Sequence, residues 1–337
     1  MHEADHEVHE STLDVRIAAI FAIAAGALLC GLPPLFLRAF QSPDSPVARG
    51  ARAFSGGIIL ALALIHIVPE AVMELSEVVS YPIGGITVLG GILVMIILES
   101  SLTALWSPKG DQVHSNHHHH NDMEASIKDT ATHKDTDAAA PDAAAAHPPA
   151  AHAHACTSSL TAQRWLGPGG AGSAMAGVRA YVTAYTMELG CIFHSVIIGV
   201  GVGVITEDRH LVIVLLVALV IHQGLEGLSL GTVLALTPFS KVKKVIMVAM
   251  YAVTTSIGIA IGIGLASTYD HNSVASKVVQ GTLNGVSGGM LIYISLLQLI
   301  AEEFSRADLL SHTRLRLGLT SGLLLGAACM AVLAIWS

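Results

Sequence analysis

Long, uninterrupted runs of apolar residues dominate the chain, and short polar segments separate them. Each run is long enough to cross the roughly 30 Å hydrocarbon core of a bilayer as a helix. The eight runs cover residues 15–37, 52–73, 81–105, 180–204, 211–235, 243–267, 279–301 and 316–336. They are continuously apolar rather than alternating, and an open sheet could not satisfy its backbone hydrogen bonds in lipid. The pattern predicts an all-α polytopic membrane protein with eight transmembrane helices.

A polar stretch rich in Ala, Pro and His divides these runs into three and five. Residues 107–178 contain almost no bulky aliphatic side chains, so they bury too little apolar surface to offset the entropy lost on ordering. We predict a disordered, His-rich cytosolic loop there. The expected organisation is an acidic, His-containing tail at 1–14, three spans in 15–106, this loop, and five spans in 179–337.

Composition and charge agree with a membrane protein. Hydrophobic residues make up 53% of the chain and charged residues only 12%, about half the roughly 25% of soluble domains. The formal net charge is −8, and no basic patch with interleaved aromatic residues occurs. These features exclude nucleic acid as an expected partner and leave the lipid bilayer. The four cysteines form no CxxC pair, so neither a disulfide framework nor a thiolate metal site is predicted.

The distribution of Lys and Arg predicts the orientation. All of them except Arg16, Arg209 and Lys277 fall in connections that lie on one side of the membrane. The positive-inside rule places that side in the cytosol, so both termini are expected to be extracellular or lumenal. We expect the plasma membrane, with an organelle membrane as the alternative.

Ionisable side chains are rare inside the spans, where they mark pathways or sites by default. His222 and Glu226 lie four residues apart, on one face of a helix. His194 lies near the centre of the preceding span, and a short hairpin makes these two spans antiparallel neighbours. His66 lies at similar depth in the second span. Three imidazoles and one carboxylate at the midplane are suitable ligands for a first-row transition metal. The alternative for each histidine is a hydrogen bond between helices, which is the more common role of a single histidine in a membrane helix.

Glycines surround these residues at a spacing of four. Gly199 and Gly203 follow His194, and Gly227 and Gly231 follow Glu226. Small residues at this spacing let helices approach closely. They indicate helix packing alone, or packing that brings the two ligand-bearing helices together around an ion.

The residues around these positions resemble signatures of the ZIP (Zrt-, Irt-like) family of divalent metal transporters, in its plant and fungal zinc/iron branch. The matching runs are Glu188–Gly190 with His194–Gly199 in span four, and His222–Gly231 in span five. Similar runs are His66–Glu70 in span two, Thr254–Ala260 in span six and Leu283–Tyr293 in span seven. The resemblance covers nearly the whole chain.

The resemblance implies uptake of Zn²⁺ or Fe²⁺ into the cytosol through a primary site at His66, His194, His222 and Glu226. Some ZIP proteins hold a second metal beside the first. The corresponding residues here are Ser195, Ile198 and Gln223, so we expect at most a weak second position at Ser195 and Gln223. Spans one, four, five and six are expected to slide against spans two, three, seven and eight. The family also suggests a homodimer, for which Gly281/Gly285/Gly289 or Gly322/Gly326 are candidate faces, with packing inside one chain as the alternative.

Further acidic residues and the loop histidines are candidate metal contacts. Glu188, Glu99, Glu302 and Glu303 could form an exit route, although Glu302 and Glu303 also fit a solvated helix end, and Glu70 could gather ions at the outer mouth. The loop residues His117, His118, His119 and His120 are expected to bind metal as a buffer or sensor, with a passive spacer as the alternative.

The predicted function is divalent metal transport, with zinc or iron as substrate and no cofactor. An intramembrane metalloenzyme is the first alternative, but the spans contain no HExxH motif. A metal-sensing receptor is the second, and it would bind metal without passing it. No Walker A motif is present, which disfavours ATP-driven pumping.

Overall fold

The computed structural model describes residues 2–106, 171–205, 209–266 and 273–335, and these residues form helices and short connections without a β-strand. Eight helical segments among them are long and apolar enough to cross a membrane, which confirms the all-α prediction. We name them in chain order α1 (Thr12–Phe36), α2 (Pro46–Val78), α3 (Ile83–Trp106), α4 (Ala176–Val204), α5 (Val212–Ala235), α6 (Lys241–Leu265), α7 (Val274–Phe304) and α8 (Thr313–Leu333).

Three of these segments belong to helices that begin before them. The helix of α1 runs over His2–Gly31 and is followed by the short helix Pro33–Phe36, the helix of α4 is Ala171–Val204, and that of α5 is Arg209–Ala235. Helix therefore includes most of the predicted tail and the last residues assigned to the loop. The rest of that loop, including its histidines, lies outside the described residues.

The helices α2 and α7 each contain one π-helical stretch. In α2 it is Leu62–Ile67, between the α-helices Pro46–Ala61 and Val68–Val78. In α7 it is Ile294–Ile300, between Val274–Tyr293 and Ala301–Phe304. Pro69 follows the first stretch and has no N–H for the regular ladder, so the wider turn accommodates it. Such turns are rare and often lie at functional sites, and the first contains His66.

Short elements join the long helices at their ends. The connections contain a 3₁₀-helix at Arg38–Phe40 and a short helix at Asp308–Ser311. The side chain of Ser240 caps α6 by accepting a hydrogen bond from the backbone N–H of Lys243. Serine is a preferred N-cap because its oxygen satisfies a donor that the first turn leaves unpaired.

Close packing divides the eight helices into two groups. Group A contains α1, α4, α5 and α6, in which α4 packs on α6 and α1 packs on both α5 and α6. Group B contains α2, α3, α7 and α8, in which α2 packs on α8 and α7 packs on both α2 and α3. The groups meet where α2 contacts α5 and where α4 contacts α7 and α3. This partition is the one that the family resemblance implies.

The glycines beside the predicted ligands pack on helices other than those expected. A Cβ added at Gly199 of α4 would lie 3.0 Å from the Cα of Gly258, which is on α6. Gly227 of α5 instead lies against Ala27 of α1, where a Cβ would lie 2.7 Å from the Ala27 carbonyl oxygen. Of the two interpretations of these glycines, packing alone fits the observed contacts, because each of the two helices packs its small face on a third helix.

The glycine faces considered for a dimer are covered within the chain. A Cβ at Gly281 of α7 would lie 2.7 Å from the Leu75 side chain of α2. One at Gly322 of α8 would lie 3.1 Å from the carbonyl oxygen of Gly50, also on α2. These glycine faces therefore pack against other helices of the same chain, as the alternative to a dimer interface predicted.

Candidate metal site

Three buried side chains of group A converge on one point. His194 on α4, and His222 and Glu226 on α5, each offer a ligand atom, and these atoms all lie within 4.8 Å of one another. The His222 Nε2 is 4.0 Å from the Glu226 Oε2, and the two imidazole centroids are 5.7 Å apart. The helical spacing of four places His222 and Glu226 on one face, and the neighbouring α4 adds His194. One cation could contact all three.

Several polar atoms of this cluster have no hydrogen-bond partner among the described residues. They are both ring nitrogens of His194, the Nε2 of His222 and the Oε1 of Glu226. Buried polar atoms are nearly always hydrogen-bonded, and leaving one unpaired costs about 1–3 kcal/mol. Unpaired atoms that converge from two helices fit a metal ion, which would satisfy them together. Two imidazoles and one carboxylate are suitable ligands for zinc or ferrous iron.

His66 reaches the same region from group B. It is half-buried in the π-helical stretch of α2, and it is close enough to interact electrostatically with both His194 and His222. It is not part of the compact group of three whose ligand atoms lie within 4.8 Å. Three predicted ligands therefore lie together in one helix group, and the fourth approaches from the other.

Tyr251 on α6 contacts this site and was missed by the sequence reasoning. Its side chain is fully buried, and its hydroxyl donates to the Glu226 Oε2 at 3.0 Å. The same hydroxyl is 3.2 Å from the Gln223 carbonyl oxygen. The search for ionisable groups in the spans passed over tyrosine, which counts among the apolar residues in a hydropathy pattern. Its phenol is nevertheless a polar group deep in an apolar run, and that was the available signal.

Ser195 and Gln223, the residues of the weak second position, contact each other. The Gln223 Nε2 donates to the Ser195 Oγ at 3.1 Å, which joins α4 to α5. Both side chains are buried, and the Gln223 Oε1 has no partner among the described residues. This leaves one neutral oxygen available beside the main cluster and no carboxylate.

Two of the acidic residues named for an exit route lie in polar surroundings near α4. Glu188 is half-buried on α4 itself and interacts electrostatically with Lys243. Glu99 on α3 accepts a hydrogen bond of 2.8 Å from the Gln298 Nε2. Gln298 lies in the π-helical stretch of α7, and its Nε2 also donates to the Thr186 Oγ1 at 2.9 Å. This polar chain crosses between groups A and B.

Glu302 and Glu303 differ sharply in their surroundings despite being adjacent. Glu303 is buried, with its Oε2 2.9 Å from the Arg49 Nε, and Arg52 pairs with its other oxygen. Arg49 also pairs with Asp308 at 2.5 Å, and that hydrogen bond holds the pKa of the Asp308 carboxyl below its usual value. Glu302 is partly exposed and 3.9 Å from Arg179. The two arginines neutralise Glu303, so its geometry favours a structural role. The exit-route role of Glu302 stays a prediction.

Glu70 lies near the opposite end of α2 from Arg49. It is half-buried, and its Oε1 is 3.4 Å from the Gln280 Nε2 of α7. Neither this contact nor this position tests whether Glu70 gathers ions at the outer mouth, so that role stays a prediction. The loop residues His117, His118, His119 and His120 lie outside the described residues.

Comparison with known proteins decides the family. The family model described as ZIP zinc transporter matches residues 13–334, which is almost the entire chain. This protein belongs to the ZIP family. Zinc transporter 5 of Oryza sativa subsp. japonica is 33% identical over 96% of the chain and 88% of the relative. Zinc transporter 3 of Arabidopsis thaliana is 30% identical over 100% of the chain and 88% of the relative.

A third relative extends the range of metals. Fe(2+) transport protein 2 of Arabidopsis thaliana is 30% identical over 96% of the chain and 88% of the relative. These matches confirm the resemblance to the plant zinc/iron branch. ZIP proteins are multi-pass membrane transporters of divalent metal ions rather than enzymes, so the metalloenzyme alternative is set aside.

Proposed function

We propose that this ZIP protein carries zinc or ferrous iron into the cytosol through the site of His66, His194, His222 and Glu226. The observation that best supports this proposal concerns the His194, His222 and Glu226 side chains of α4 and α5. Their ligand atoms converge, and several of their ring nitrogens and one carboxylate oxygen have no hydrogen-bond partner among the described residues. The named relatives, two zinc transporters and one Fe(2+) transport protein, support the same substrates. The metal ion is the transported substrate. It exchanges ligands during transport and is not chemically converted.

The ligand set supports transient rather than permanent binding. Structural zinc sites are closed by four protein ligands, whereas sites that exchange a ligand keep a position open. Group A supplies three ligands in one compact cluster, and His66 of group B is the fourth. Separating His66 from the others removes one protein ligand and lowers affinity, which a carrier needs in order to release its ion.

Alternating access follows from this division of ligands between the two helix groups. Sliding of group A against group B would carry His194, His222 and Glu226 past His66 and toward the cytosolic ends of the helices. Glu188 lies nearly two turns from His194 on α4 and would be the next anionic contact, followed by Glu99 and Glu302. The Lys and Arg distribution predicts that these residues lie on the cytosolic side and Glu70 on the outer side. Ser195 and Gln223 would hold a second ion only weakly, since they offer neutral oxygens and no carboxylate.

Measured uptake tests the transport function. The protein would be reconstituted in proteoliposomes and supplied with radiolabelled zinc or iron, alongside His222→Ala and Glu226→Ala. We expect saturable uptake that both substitutions abolish. His312→Ala is the matched control, because His312 is exposed and lies between α7 and α8. Uptake that survives both site substitutions would contradict the proposed site, and metal binding without any flux would favour the metal-sensing receptor.

A crosslink between the groups tests the sliding motion separately. Ser55 of α2 and Thr232 of α5 face each other with their hydroxyl oxygens 3.4 Å apart, so we choose these two positions for paired cysteines and would verify the crosslink by the loss of free thiols. Oxidising the Ser55→Cys/Thr232→Cys protein should stop uptake, preserve zinc binding, and be reversed by reductant. Full uptake in the crosslinked protein would exclude sliding between α2 and α5.

A further inference from the structure

Tyr251 distinguishes the two oxygens of the Glu226 carboxylate. The Oε2 accepts the Tyr251 hydroxyl hydrogen at 3.0 Å, while the Oε1 has no hydrogen-bond partner among the described residues. Both side chains are completely buried, so water does not compete for this hydrogen bond. The Oε2, which is also 4.0 Å from the His222 Nε2, therefore gives one lone pair to the Tyr251 hydrogen bond, while the Oε1 is the oxygen without a partner among the described residues.

The hydrogen bond also fixes where Glu226 points. The Tyr251 hydroxyl is 3.2 Å from the Gln223 carbonyl oxygen, one turn before Glu226 on α5. Tyr251 thus contacts α5 at two successive turns from its own helix, α6. The tyrosine side chain has only two rotatable χ angles, so a phenol held at both points restricts the carboxylate to a narrow range of orientations. Residues that hydrogen-bond to metal ligands commonly act in this way.

We propose that Tyr251 is a positioning residue that holds Glu226 as a ligand through one oxygen and thereby favours zinc-like ions over Mn²⁺. This inference rests on the proposed function of the site. Zinc is stable with four ligands of nitrogen and oxygen type, whereas Mn²⁺ prefers about six, mainly oxygens. Chelation by both carboxylate oxygens raises the coordination number, and the Tyr251 hydrogen bond opposes it by taking one of the two lone pairs of the Oε2 and fixing the orientation of the carboxylate.

The test is Tyr251→Phe, which removes only the hydroxyl. Uptake of zinc and of Mn²⁺ would be measured in proteoliposomes over a range of concentrations. Loss of a residue behind a metal ligand typically lowers affinity 10- to 100-fold, so we expect the zinc KM to rise about tenfold with a smaller change in Vmax. The KM for Mn²⁺ should stay the same or fall, so that the ratio of Vmax/KM for zinc to that for Mn²⁺ falls at least about tenfold.

A matched control is Tyr185→Phe. Tyr185 is also a tyrosine of group A with a hydroxyl that contacts a charged group, Lys243, but it lies nine residues before His194, or about 13 Å along the helix. This variant should keep the wild-type ratio. An unchanged ratio in Tyr251→Phe, or an equal change in both variants, would overturn the proposal.

Binding of Co²⁺ to the purified protein gives a readout that does not depend on transport. Four-coordinate Co²⁺ absorbs visible light much more strongly than six-coordinate Co²⁺, so the wild type should give intense bands and Tyr251→Phe weaker ones. A weak, six-coordinate spectrum from the wild type overturns the proposal whatever the variant does. Absence of zinc uptake by the wild type would instead refute the proposed function. The Co²⁺ spectra would still test the role of Tyr251, because they do not depend on transport.

Discussion

Replacing Glu303 by glutamine should destabilise the folded protein through the two arginines of α2. The Glu303 side chain is 1% exposed and that of Arg49 is 2% exposed, with 2.9 Å between the charged atoms. Arg52 pairs with the second carboxylate oxygen. Glu303→Gln preserves the size of the side chain and one acceptor oxygen, but it leaves two guanidinium groups without this buried counterion.

The size of the effect follows from burial. Removing one partner of a buried ion pair costs about 3–5 kcal/mol. Arg49 keeps Asp308, whose carboxylate is 2.5 Å away and 42% exposed, so we expect the lower end of that range. A loss of about 3 kcal/mol corresponds to a fall in Tm of roughly 6–12 °C, if each kcal/mol shifts Tm by roughly 2–4 °C.

Thermal unfolding of the purified protein in detergent measures this effect, with Glu302→Gln as the control. Glu302 is 39% exposed and 3.9 Å from Arg179, and exposed pairs contribute about 0–1 kcal/mol. Its substitution should leave Tm within roughly 2 °C of the wild type. Equal shifts in the two variants would refute the reasoning. A Glu303→Gln protein of normal Tm but reduced zinc uptake would return Glu303 to the exit route.

Three further outcomes are expected. Gly199→Ala should lower Tm because its Cβ would press on α6, at a cost of about 1–3 kcal/mol, whereas Gly201→Ala, with open space around it, should not; equal Tm values would contradict the close α4–α6 contact. Because Arg49 lowers the folded-state pKa of Asp308 from 3.8, its stabilisation is present above that value and lost as pH falls through the lower folded pKa. The Tm of the wild type should therefore fall more steeply on acidification than that of Asp308→Asn, and parallel curves would argue against this linkage. Deleting residues 111–155 should weaken the shut-off of zinc uptake at high external zinc, and unchanged uptake and shut-off would leave that segment as a spacer.

The sequence was sufficient to predict the spans and the cluster of His194, His222 and Glu226, for physical reasons that apply to few proteins. A helix in lipid must be apolar along its whole length, so hydropathy locates the spans directly. The rarity of ionisable residues in those spans then isolates His194, His222 and Glu226, and helical geometry places two of them on one face. The short connection between α4 and α5 supplies the third.

Hydropathy and residue spacing do not predict which helices pack against each other. A glycine stripe identifies a face that another helix can approach closely, but it carries no information about which helix that is. Gly199 therefore predicted a close contact correctly while leaving α6 unidentified as the partner. Tyr251 was recognisable as a polar group in an apolar run, but its contact with Glu226 was not predictable, because it depends on α6 lying beside α5.

The proposed division of ligands between the helix groups would give the π-helical stretch of α2 a functional role. His66 lies in that stretch, where the regular hydrogen-bond ladder of the helix is interrupted ahead of Pro69. His194, His222 and Glu226 lie in unbroken helices whose glycine faces are fixed against α6 and α1. A carrier needs one set of ligands that stays assembled and one ligand that can be left behind. In the proposed mechanism the compact cluster of group A would meet the first requirement, and His66, which the other group presents from an irregular turn, would meet the second.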